Sequence, residues 1–392
     1  MSRAAALIAL VLVGACGGSA KRSTTPSPPI TPADDIGVAR GDAPRADPSD
    51  SGLTAKDPRV VDLDIIKIRA SGPPGSDSMT TVASADLFRS ANEAAKAGRT
   101  QEAITLYRQL LHEFAESLYA PISLFNIAAI FDGRGDLPET IATLKELVAT
   151  YPQARESIEG HLFIVALQSD KKLWADALAT LDAILARPNL TFADRIEAYA
   201  RKGYIQVEQK QYDAADVSLA AAIGEWRKAP RIDDPYYIAM AHYYRGELLH
   251  VKFTELRLRT GDDEMVADLE AKRALAVQAY DRWRESLAFK HAYWATASGY
   301  QMSQIFVELW EAHVKAPYPK RIAADARKTY VSEVHERVKE HLAKALEGHR
   351  MNVELAKAYG VDTVWSKGSE TRAVQILELI AREANGNYVV PN

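Results

Sequence analysis

Cysteine is all but missing: the 392 residues hold one, Cys16. That excludes an internal disulfide framework and any zinc site built on thiolates. Long apolar runs are scarce too. The longest, Ala4–Val13, is ten residues, half of what a membrane-crossing helix needs. Charge of one sign is lacking, because 48 basic and 52 acidic residues are interspersed for a net −4. A nucleic-acid partner needs a basic face or stripe, so none is expected. Between Gly17 and Ala83 there is neither a glutamate nor an aromatic residue, and the first aromatic of the chain is Phe88. That stretch holds half of the 18 prolines. Without aromatics it cannot bury enough apolar surface to order itself.

What is present begins at the N-terminus. A basic Arg3 precedes the apolar run 4–13, the pattern of a signal-peptide core. Val13-Gly14-Ala15-Cys16 resembles the lipobox of bacterial lipoproteins, in which an aliphatic and two small residues precede a cysteine. The resemblance implies cleavage after residue 15 and a lipid-modified Cys16; a cysteine beside an ordinary cleavage site is the alternative. Residues 16–83 then read as a lipidated tether. One island interrupts it, Val60–Ile68, whose near-alternation predicts a short strand with no partner strand in the chain. It reads as an arm on the helical domain or as a strand that docks on another protein.

Beyond Ser84 the chain reads as paired helices. Units starting at Ser84, Pro121, Ile158 and Ile196 repeat a pattern of small residues at Ala91, Ala128, Val165 and Gly203. A second small position recurs at Ala103, Thr140, Ala177 and Ala215, followed by large residues at Tyr107, Leu144, Leu181 and Leu219. Small side chains let two helices approach and large ones fill the seam. The pattern resembles the tetratricopeptide repeat (TPR), a helical hairpin. A stretched fifth unit is expected around Arg245–Trp283, a degenerate sixth over residues 291–359, and a final helix from about Thr363 to Ala384 that caps the array. The expected fold is therefore all-α: a TPR-like α-solenoid of about five to six hairpins with a C-terminal helical extension, the regular repeats over 84–290 and the degenerate repeat and helical cap over 291–386. The run from Glu102 to Ala154, with Tyr151-Pro152 before a repeat, is similar to TPR lipoproteins of the bacterial envelope, such as the outer-membrane barrel-assembly lipoprotein and periplasmic cell-division coordinators.

Catalytic patterns are weak. Ser169-Asp170-Lys171-Lys172 fits Ser-x-x-Lys without its companion motifs. Asp132–Asp136 starts like a calcium loop, but Thr143 stands where glutamate is needed. His313, His335, His341 and His349 lack the spacing of zinc ligands on one face and read as a solvated basic face. No catalysis, cofactor or metal is expected. What remains is recognition. The TPR resemblance implies that certain positions of each first helix line a concave groove. These are Phe88, Arg89, Asn92, Phe125, Asn126, Ala129, Leu162, Phe163, Arg201, Tyr204, Tyr243, Tyr244 and Glu247. Asn92 and Asn126 match asparagines of the chaperone-type carboxylate clamp, but Phe88, Glu159 and Phe163 replace its basic residues. The groove is expected to hold a helix or an extended apolar segment. The expected setting is the bacterial envelope, as an outer-membrane lipoprotein facing the periplasm whose partners are envelope proteins and, through its lipid, the membrane. A binding module for peptide or glycan is the other reading.

Overall fold

The computed structural model describes residues 66–71 and 78–391. Cys16, the signal peptide and most of the tether lie outside these residues. Of the strand expected at 60–68, only 66–68 lie among the described residues; there β1 (Ile66–Ser71) runs three residues past the expected end and, against expectation, has a partner, pairing antiparallel with β2 (Ser78–Ala83), Ile66 opposite Ala83. The tether therefore ends in a hairpin that leads straight into the first helix. Its hold on the helical body includes Val82, which packs into the first core, and Lys67, whose ammonium sits 5.1 Å from the centre of the Phe114 ring.

Thirteen helices follow among the described residues. The first eight form four hairpins: α1 (Ser84–Lys96) with α2 (Thr100–Glu113), α3 (Tyr119–Arg134) with α4 (Leu137–Thr150), α5 (Arg155–Asp170) with α6 (Trp174–Leu185), and α7 (Phe192–Glu208) with α8 (Tyr212–Lys228). Two larger hairpins come next, α9 (Tyr236–Glu255) with α10 (Asp262–Ala288) and α11 (Ala292–Val314) with α12 (Arg327–Tyr359). The chain closes on α13 (Val364–Ala384), whose N-cap Thr363 accepts from the Ser366 backbone in a capping box. Each first helix packs on its own second helix, on the preceding hairpin and on the next first helix. That contact pattern is an α-solenoid of TPR type.

The repeat residues explain the hairpins. The tight turn between paired helices needs a left-handed residue, supplied by Gly98 (φ 74°) and Gly135 (φ 78°) in the first two hairpins. Lysines take the same place at Lys172 (φ 56°) and Lys210 (φ 60°), at a cost on the order of 1 kcal/mol each. At the seam, a Cβ on Gly203 would meet Leu219 Cδ2 at 2.5 Å. Only glycine lets α7 and α8 approach this closely. Gly246 plays the same part against the indole of Trp283. One continuous core then runs from Ile158 through Tyr204, Tyr243 and Trp294 to Trp365 on α13, with separate clusters at either end.

Candidate functional site

The inner face is built from α1, α3, α5, α7, α9 and α11, and most of its expected groove residues are spent on holding those helices together. Phe88 is buried, stacked on Tyr119 with ring centres 5.0 Å apart. Asn92 and Asn126 do come together, but on a side chain of α2: the Tyr107 hydroxyl donates to Asn92 Oδ1 and accepts from Asn126 Nδ2 at 3.1 Å. Burial raises the Tyr107 pKa, with the Asn126 bond acting against it, so the phenol stays a neutral donor. The asparagines that resemble a carboxylate clamp are thus engaged in packing. Phe125 lies 6.4 Å from Phe163, and both are buried with Leu162.

In the middle of the array the inner face is ionic. Arg201 is 1% exposed, donates to Glu197 at 2.9 Å and to the Tyr237 hydroxyl at 2.5 Å, and lies over the Tyr237 ring. Arg155 on α5 bonds Asp194 on α7 at 2.5 Å and reaches Glu159 at 3.3 Å. Burial raises the Glu197 pKa, and Arg201 and Tyr237 pull it back. These groups bridge successive first helices.

Toward the C-terminus the face is a string of rings. Tyr204 meets Tyr244 at 5.1 Å, Tyr244 meets Tyr243 at 5.3 Å, and Tyr243 meets Trp294 at 5.2 Å. Trp365 of α13 closes the string, 6.0 Å from Tyr243 and 5.5 Å from Tyr300. Tyr204, Tyr243 and Tyr244 are buried, so they serve as inter-hairpin core and not as open stacking surfaces. The reason is the near approach of α7, α9 and α11. Glu247, half-buried, accepts from Gln301 at 2.7 Å, and its pKa is raised by burial. Beside it, His250 donates to Glu308 at 2.5 Å; Gln304 links Glu308 to Arg372 of α13. Trp365, Arg372, His250, Gln301 and Glu308 were not foreseen from the sequence.

Four expected groove residues keep contact with water. Arg89 is exposed and pairs with Asp86 at 2.9 Å, while Asn92, Ala129 and Glu247 are half-buried. Three of the four lie on the first two hairpins, and Glu247 is on α9. The histidines correct an expectation. His335 and His349 are buried, not part of a solvated face. His335 faces Glu383 through Nδ1 and the Val389 carbonyl through Nε2 at 2.8 Å, fastening the C-terminal tail. His349 lies 3.2 Å from Ser369 Oγ, and burial, aided by the charge of Arg372, lowers its pKa to about 3. Among the described residues no group of three or more His, Cys, Asp or Glu could hold a metal ion, and no helix is long and apolar enough to cross a membrane. Ser169 ends inside α5 with its hydroxyl on the Val165 carbonyl at 2.7 Å.

Fold and face together define an all-α, TPR-like α-solenoid. No protein-family model and no curated protein matches the chain. Two solved structures of MamA are similar to it: "MamA 41-end from Desulfovibrio magneticus RS-1", 14% identical, and "MamA RS-1 ArsTM double mutant", 16% identical. Each alignment covers 52% of this chain and 96% of the other, with a TM-score of 0.34.

Proposed function

We propose that the chain is a lipid-anchored scaffold of the bacterial cell envelope that binds other proteins along its inner face. The observation that carries this reading is the unbroken succession of first helices, α1 to α11, each touching the next. Such an array offers one extended concave surface assembled from repeated units, a geometry suited to another polypeptide. Recognition falls to the first two hairpins, where Arg89, Asn92 and Ala129 reach water. Burial of Tyr204, Tyr243 and Tyr244 favours this reading over a glycan module, which would need open rings. The anchor rests on Cys16 and the residues before it. Three acyl chains hold a protein to a bilayer stably, where one is marginal. Barrel assembly, pilus or motility machinery and wall synthesis are the envelope tasks that use scaffolds of this kind.

The test is in-cell crosslinking followed by purification from membranes. A stoichiometric protein partner is expected with the natural chain. Arg89→Glu combined with Ala129→Arg should lose that partner while circular dichroism stays unchanged; retention of the partner would sink the groove assignment. Cys16→Ala should leave the membrane fraction or accumulate uncleaved. Unaltered sedimentation with membranes would rule out the lipid anchor.

A further inference from the structure

Helix α13 packs on α11 and α12, where the first helix of a seventh hairpin would lie. The end of a repeat array ordinarily shows water a polar outer face. This one does not. Met351 on α12 and Val374 and Leu377 on α13 are 65%, 58% and 44% exposed. Met351 lines a groove of about 580 Å³ together with Leu346, Leu355 and Ile380, and Val374 and Leu377 are further exposed apolar side chains on α13. Among the described residues nothing covers it.

We propose that a second copy of this chain covers the α12/α13 face, in a two-fold pair. Two charges favour a second copy over an unrelated partner. Glu347 and Arg350 stand three residues apart on α12 and line the groove. Neither has an ion-pair partner among the described residues, whereas Glu354 beside them bonds Lys357 at 2.8 Å. A two-fold axis passing midway between the two residues sets Glu347 opposite Arg350 of the second copy, and the reverse. One surface thereby supplies both signs. A partner whose rim carried a single sign would leave one of the two charges unpaired in an apolar contact, which is costly. The surface is large enough. The 21 residues of α13 extend about 30 Å, and two helices each about 10 Å wide present on the order of 600 Å² per copy. A specific interface needs about 1,000 Å² counted over both partners.

The pairing does not depend on the scaffold reading, and sedimentation velocity tests it directly. The full chain carrying Cys16→Ser, which removes any lipid-driven association, is expected to sediment as a dimer at tens of micromolar. Arg350→Glu makes both members of this pair acidic, and Glu347→Arg makes both basic. Each variant alone should be monomeric with unchanged circular dichroism, since both positions are exposed. An equimolar mixture of the two should dimerise again, because each now carries what the other lacks. A monomeric parent, a dimer indifferent to either change, or a mixture that stays monomeric overturns the proposal. So does a parent monomer that engages only a different protein on this face.

Discussion

Glu308→Gln is expected to cost the folded state about 3–5 kcal/mol, the usual penalty for stranding one member of a buried ion pair. It should also flatten the protein's response to alkaline pH. The imidazole of His250 is buried, with Nε2 2.5 Å from the Glu308 carboxylate. Burial by itself would push its pKa down. The charge and hydrogen bond of Glu308, helped by the charge of Glu247, outweigh that and hold the value at about 9. The unfolded chain titrates near 6.5, so folding favours the protonated ring. The stabilisation is fully present below about pH 6.5 and is lost as pH rises through about 9, amounting to about 3 kcal/mol. Urea titrations at several pH values across that window should show the loss in the natural chain and no such loss in Glu308→Gln. His250→Asn should show no loss either. That second variant separates the imidazole from Lys272, whose ammonium is held low by burial and contributes with the opposite sign. A pH slope that survives both substitutions would assign the effect elsewhere.

Trp365→Ala should release α13 without unfolding the array. Truncating a fully buried indole costs about 3–5 kcal/mol. Only Trp365, Ser366, Ser369 and Ile376 are buried among the helix's 21 residues. The other holds are smaller: Arg372 reaches Gln304 at 2.8 Å, Ser369 accepts from Asn352 at 2.9 Å, Glu383 faces His335, and Ile376 packs into the last core. Hydrogen exchange should lose protection along α13 and leave α1 to α8 as protected as before. Proteases should gain entry at Gly360–Asp362. Cooperative loss of protection across the whole chain would mean that α13 is integral to the array, and unchanged protection of α13 would mean that Trp365 does not hold it.

Much of the fold was legible because TPR packing constrains residue size at fixed positions. Ala91, Ala103 and Ala215 are fully buried at helix contacts, and Gly203 marks one that tolerates nothing larger. Helix limits also followed from punctuation, as at Gly360 after α12 and Thr363 before α13. The inner face was harder to read. On a first helix the groove stripe lies next to the stripe that meets the neighbouring hairpin. Tyr243 and Tyr244 fall on one or the other according to how closely α9 approaches α7 and α11, and nothing local encodes that distance. The strand β2, Ser-Met-Thr-Thr-Val-Ala, is short and fused to α1, so it gave no separate signal. The ionic ladder did have a signal that was missed. Arg155 with Asp194 and Arg201 with Tyr237 are 39 and 36 residues apart, about one repeat, which places them side by side on successive first helices. His250 and Glu308 are 58 apart for the same reason, across the stretched fifth hairpin.

The arrangement of contacts also sets an order of assembly. Each hairpin packs on the one before it, so the array can consolidate from its N-terminal end as the chain emerges from a ribosome. Trp365 is the exception, because it reaches past α11 to Tyr243 on α9. Its seat, completed by Tyr300 on α11, is finished one long helix before the indole arrives. In that interval the aromatic end of the inner face stands uncovered, and a nascent neighbour could take the place meant for the chain's own last helix. Closure by α13 is therefore the step at which a growing chain becomes committed to its own fold.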